Sequence, residues 1–75
     1  MKSLVEYIAR NLVDDPDAVQ VTQRDAGRTT ILELAVSQED TGKVIGREGR
    51  VAKAIRVLVR IAANRQHRRA ILEIA

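Results

Sequence analysis

The 75-residue chain contains no cysteine, which removes disulfide frameworks, zinc ribbons and thiol nucleophiles and fits a reducing compartment. Aromatic residues are nearly as scarce. Tyr7 is the only one, so platforms that read nucleobases by stacking them on rings cannot be built, and RRM and OB architectures are disfavoured. No apolar run approaches the roughly 20 residues of a membrane span. Glu6 and Arg10 also interrupt what would have to be an apolar h-region in residues 1–13. Neither membrane insertion nor secretion is expected, and the cytosol is the expected location. A chain this short makes one domain, residues 1–75, and buries only about 60% of the surface its unfolded form exposes. Its core must pack tightly or be completed by a partner.

Catalytic and metal chemistry find little to work with. His67 stands alone, without a second histidine, so neither a metal site nor a general base is expected. Asp14, Asp15 and Asp17 read as a helix stop and turn rather than a magnesium site. No nucleophile, base and orienting group can be assembled, and neither a GxGxxG nor a GK[ST] pattern occurs. A non-enzymatic protein without cofactor or metal is expected.

What is abundant is charge, distributed unevenly. Residues 1–41 carry four basic side chains against eight acidic ones, a net of −4, whereas residues 42–75 carry nine against two, a net of +7. A basic half of that density suits a polyanion, because each neutralised phosphate releases condensed counterions.

Periodicity orders the elements. Ser3 and Glu6 form a capping-box pattern ahead of Leu4, Val5, Ile8 and Leu12, predicting a helix over 4–13. Asp14, Asp15 and Pro16 end it. Val19 and Val21 alternate with polar neighbours, Asp25-Ala26-Gly27-Arg28 supplies a turn, and Thr30, Leu32, Leu34 and Val36 alternate again, predicting a β-hairpin. Ser37 is placed to cap a short helix ending at Gly46. A third helix begins after Gly49, with Val51, Ala52, Ile55, Leu58, Val59 and Ala62 on its apolar side and Arg50, Lys53, Arg56 and Arg60 on the other. After the basic loop 64–69, Ala70, Leu72 and Ile74 alternate as a last strand. The order is αββααβ, an α+β chain whose two-helix crossover favours parallel pairing of the second and third strands in one three-stranded mixed sheet, with the helices packed on one face.

Gly46-Arg47-Glu48-Gly49 joins the last two helices. One glycine ends a helix; a second lets a nucleic-acid backbone approach without a Cβ in the way. The next helix then presents free amides to a phosphate. Val44-Ile45-Gly46-Arg47-Glu48-Gly49-Arg50-Val51-Ala52-Lys53-Ala54-Ile55-Arg56 resembles the core signature of K-homology (KH) domains. Two aliphatic residues precede a GxxG loop there, and an amphipathic helix follows. The αββααβ order matches the type II arrangement, and over nearly the whole chain the sequence is similar to the KhpA (YlqC) family of small bacterial single-KH-domain proteins.

That resemblance implies a single-stranded RNA-binding protein of the RNA-chaperone kind, acting with a second KH protein, KhpB (also called Jag or EloR), and touching cell-wall homeostasis and cell length. By position, it implies that Gly46, Arg47, Glu48 and Gly49 clamp the backbone of about four nucleotides, with Lys43, Arg50 and Lys53 flanking. Val44, Ile45, Ala52 and Leu34 would line an apolar groove for the bases. Glu48 departs from the pattern, since a carboxylate beside a phosphate repels it, and weaker binding is expected. Arg24 and Arg28 at the hairpin turn, or the Arg65–Arg69 loop, are alternative candidates for closing the groove. Gly46→Asp with Arg47→Asp is expected to abolish binding and leave the helical spectrum intact.

Val57 and Ile61 lie one helical turn apart and off the apolar side of the third helix, so they are expected to be exposed and to form a dimer contact, with a second copy or a KH partner. Two other readings stay open: an adaptor for protein association with a vestigial loop, and a single-stranded DNA binder.

Overall fold

A computed structural model describes every residue from Met1 to Ala75. Helix α1 covers Lys2–Leu12. It starts earlier than its capping pattern predicts, because the Val5 N–H already donates to the Met1 carbonyl (3.2 Å). Ser3 therefore lies inside the helix and caps nothing, and Glu6 pairs with Arg10 one turn on, at 3.2 Å. A single 3-10 turn at Pro16–Ala18 leads into strand β1, Gln20–Ala26.

Strand β2, Thr29–Ala35, follows a turn centred on Gly27 and Arg28. Gly27 has φ +61°, the left-handed start that two-residue hairpin turns require. Helix α2 is short, Thr41–Ile45; helix α3 covers Arg50–Arg65; strand β3 covers Arg69–Ile74. The sheet order is β1-β2-β3, with β1 antiparallel and β3 parallel to β2. This is the α+β, αββααβ arrangement with a mixed sheet, as expected. Both β1 and β3 are therefore edge strands.

Alternation along β2 sends Thr30, Leu32 and Leu34 inward. They meet Val5 and Ala9 of α1, Val44 of α2, Ile55 and Val59 of α3 and Leu72 of β3 in one apolar core. Leu58 is not part of it. The buried face of α3 is Ala52, Ile55, Val59 and Ala63, a three-and-four spacing that leaves Leu58 one residue out of phase and 46% exposed. Ala63, rather than Ala62, closes that face.

Because β2 and β3 are parallel, both begin at the end of the molecule that holds the β1–β2 turn. The chain leaves β2 at the opposite end, forms α2 and the glycine loop there, and returns along α3. The long axis measures 34 Å. The glycine loop and the basic loop before β3 therefore lie at opposite ends of α3.

Candidate nucleic-acid interface

The loop between α2 and α3 is built on left-handed backbone. Gly46 ends α2 with φ +75° and ψ 174°, a region that essentially only glycine occupies. Glu48 (φ 57°) and Gly49 (φ 75°) then take consecutive left-handed positions within a 3-10 turn closed by the Gly49 N–H on the Gly46 carbonyl at 3.1 Å. No side chain caps the start of α3; its first N–H, that of Arg50, donates instead to the Arg47 carbonyl. Arg47, Glu48 and Arg50 are all exposed. Glu48 leans toward Arg50, 3.8 Å away, which places a cation beside the carboxylate that a phosphate would meet.

Lys43 is engaged elsewhere. It donates to Asp14 and lies 3.5 Å from Asp40. Asp40 is a buried carboxylate that accepts from the Asp15 backbone N–H (3.0 Å) and the Ser37 hydroxyl (3.0 Å). Ser37 thus serves Asp40 rather than capping a helix end. Burial pushes the Asp40 carboxyl up, yet hydrogen bonds from the Asp15 and Asp14 backbone, Ser37 and Lys43 outweigh it and hold the group below its ordinary value of 3.8. The hydrogen bond to Asp14 raises Lys43 above 10.5, against an opposing effect of burial. This network ties the turn after α1 to the base of α2, and so to the loop that α2 carries.

Of the four residues expected to line a groove for bases, only Ile45 has useful surface. Leu34 and Val44 are wholly buried and Ala52 is 4% exposed, because all three point into the core between sheet and helices. Surface suited to a base lies instead between α3 and the free edge of β3. A cleft of about 240 Å³ is lined there by Arg56, Val59, Arg60, Ala70, Ile71 and Leu72.

Arg56 donates through Nε to the Leu72 carbonyl (3.3 Å), which ties its guanidinium to β3 and leaves its other donors without a protein partner. Lys53, Arg56 and Arg60 follow one another at three and four residues and share one helix face, beginning one turn below Gly49. That spacing is present in the sequence. The cleft that opens between this face and the edge of β3 is not.

The candidates for closing the groove occupy two places. Arg28 and the Arg65–Arg69 loop sit together at the far end of α3, and Arg24 lies on β1 near Glu33 (3.7 Å). Arg68 turns inward and bonds Thr30 Oγ1 at 2.8 Å.

Val57, Leu58 and Ile61 are 46%, 46% and 49% exposed. With Ala54 they make an apolar seam on the side of α3 away from the core.

Comparison with known proteins agrees with this architecture. The family model described as KhpA/KhpB, KH domain, matches residues 2–74. Relatives named RNA-binding protein KhpA include those of Clostridium acetobutylicum, 51% identical over 99% of this chain and 99% of its own, and Halalkalibacterium halodurans, 53% identical over 99% and 97%. That of Aquifex aeolicus is 39% identical over 99% and 94%. No solved structure gives a significant match. One family model spans nearly the whole chain, relatives about half identical match it end to end, and the chain belongs to that family: the KhpA/KhpB family of KH-domain proteins.

Proposed function

We propose that this protein is a non-enzymatic RNA-binding module that holds a single strand along a track from the Gly46–Gly49 loop into the cleft between α3 and β3. The observation that carries this reading is the continuity of the track. The left-handed glycine loop, with Arg47 and Arg50 exposed, leads into Lys53, Arg56 and Arg60 over a partly apolar floor. Loop amides and Arg47 take phosphates. Bases rest against aliphatic surface and the unpaired edge of β3, where main-chain groups and the Arg56 fork offer hydrogen bonds without aromatic stacking. Arg50 offsets Glu48, so that carboxylate weakens binding without preventing it.

The name of the relatives, RNA-binding protein KhpA, supports RNA over DNA. A second KH protein of the KhpB kind is the proposed partner, and the family description that joins the two names supports the pairing. The apolar seam of α3 is the proposed contact, for that partner or for a second copy. Work as an RNA chaperone in the cytoplasm, with an effect on cell-wall homeostasis and cell length, follows from the family resemblance.

The test is affinity for a fluorescent oligoribonucleotide as salt is varied. Three or four neutralised phosphates give a slope of log affinity against log salt of about −2 to −3. The disabling variant is Gly49→Asp with Arg47→Asp, not one at Gly46, because a Cβ at Gly49 meets nothing within 4 Å, whereas at Gly46 it lands 2.9 Å from the Val51 backbone nitrogen. A folded double variant that binds as well as wild type sinks the loop reading. Competition with the matched deoxyribonucleotide separates RNA from DNA binding, since only RNA offers the 2′-hydroxyl.

A further inference from the structure

At the end of the molecule opposite the glycine loop, two loops are fastened together by one arginine. Arg68 donates from Nε to Thr30 Oγ1 (2.8 Å) and from Nη2 to the carbonyls of Gly27 (3.2 Å) and Thr29 (3.4 Å), and it pairs with Asp25 at 3.3 Å. The wholly buried Thr30 completes the arrangement by donating to the same Asp25 oxygen at 3.0 Å. The Arg69 N–H donates to the Arg28 carbonyl at 2.9 Å. The hairpin turn and the loop before β3 are thereby locked in register.

This lock leaves two cations without a partner. Asp25 is the carboxylate available at this end, and Arg68 occupies it. Arg28 and Arg69, adjacent through their backbone hydrogen bond, are both exposed and neither side chain is paired with a carboxylate. Two unpaired cations on neighbouring residues make a local positive field that favours an anion.

Their surroundings indicate which anion. Arg69 lies two residues along β3 from Ile71, which shares the cleft with Arg56 and Arg60. Between Glu48 and Glu73 the chain contains no acidic residue, so α3 itself carries no carboxylate; Glu73 stands two residues beyond Ile71 on β3. Sixteen helical residues span about 24 Å.

We infer that Arg28 and Arg69 form a distal phosphate subsite, so that a strand anchored at the glycine loop is gripped again at the opposite end of α3. The bound length then exceeds the four or so nucleotides that a GxxG loop clamps. The inference rests on the RNA reading above and adds to it a second anchor and a minimum strand length.

The experiment compares a tetranucleotide and a decanucleotide RNA on wild-type protein, Arg28→Gln/Arg69→Gln and Arg47→Asp/Gly49→Asp. Affinities are measured by fluorescence anisotropy between about 50 and 200 mM salt. Both glutamine substitutions fall on exposed side chains without hydrogen bonds, and circular dichroism checks the fold. Loss of two single-strand phosphate contacts should make the decanucleotide slope shallower by about 1.4 and leave tetranucleotide binding unchanged.

An unchanged decanucleotide slope and affinity in the Arg28/Arg69 variant overturns the distal subsite while the loop reading stands. Tetranucleotide binding that survives in the Arg47/Gly49 variant overturns the loop reading instead. A decaglutamate peptide that binds wild type but not Arg28→Gln/Arg69→Gln, with RNA affinity unaffected, reassigns the arginines to an acidic protein segment and also overturns the proposal.

Discussion

Adding a single methyl group at each of two glycines three residues apart should have very different consequences. Gly46 and Gly49 both have φ +75°. At Gly46, ψ is 174°, and holding a non-glycine residue there costs about 1–3 kcal/mol. Its Cβ would also stand 2.4 Å from Val51 Cγ2 and 2.9 Å from both Val51 Cβ and the Val51 backbone nitrogen. The backbone nitrogen belongs to the first turn of α3 and cannot move away alone, so forced rearrangement adds about 1–3 kcal/mol. A total near 4 kcal/mol is a large share of the ~4–11 kcal/mol that a domain of this size commands. It corresponds to a fall in Tm of about 15–30 °C.

At Gly49, ψ is 16°, an ordinary left-handed position, and a Cβ meets nothing within 4 Å. Only the left-handed penalty of about 1–2 kcal/mol remains, partly offset by the smaller freedom of the unfolded alanine chain. The expected net loss is about 1 kcal/mol, or about 4–8 °C. Thermal melts of Gly46→Ala and Gly49→Ala followed by circular dichroism decide the matter. Equal losses at the two positions, or a Gly46→Ala variant within a few degrees of wild type, would refute the reasoning from backbone and space.

Ile61→Lys places a charge in the exposed seam of α3 and should give a folded monomer in sedimentation analysis; an unchanged mass relative to wild type removes the seam as a self-association surface. Asp40, held below 3.8, contributes stability that is present above that value and is lost as pH falls through the lowered pKa. Asp40→Asn should accordingly lower Tm near neutral pH and flatten the acid limb of the stability curve below about pH 4. An acid limb as steep as that of wild type contradicts the assignment. Lys43, raised above 10.5, behaves in the opposite sense: its contribution is whole below that value and disappears as pH climbs through the raised pKa.

The elements were legible because each had two independent signals. Pro16 and its aspartates end α1 while its apolar period stops, and Gly27 sits between two alternating runs. The parallel pairing followed from the two helices that separate the second and third strands. The site was legible at its loop, whose glycines must adopt conformations that other residues avoid.

Its walls were not, because local pattern does not say which neighbour an apolar side chain meets. Leu34 and Val44 look like groove lining in sequence and are core in space. Lys43 looks free until Asp14, 29 positions away, closes on it. Arg56 and Arg60 read equally well as a solvated helix face. Only the gap between α3 and the edge of β3, which no local pattern states, gives them a cleft to guard. Ser3 failed for a different reason: Met1 had already begun the helix, and a capping pattern holds only where the helix starts.

Helix α3 spends its circumference on three separate tasks. At about 100° per residue, the apolar seam of Ala54, Val57, Leu58 and Ile61 lies some 130° around from the arginines over the cleft. A pair of molecules joined along their seams would therefore carry the two clefts clear of the union. One such particle would behave as a bridge between two stretches of a transcript. Once the first stretch is captured, the second arrives at an effective concentration set by the RNA between them rather than by its abundance in solution.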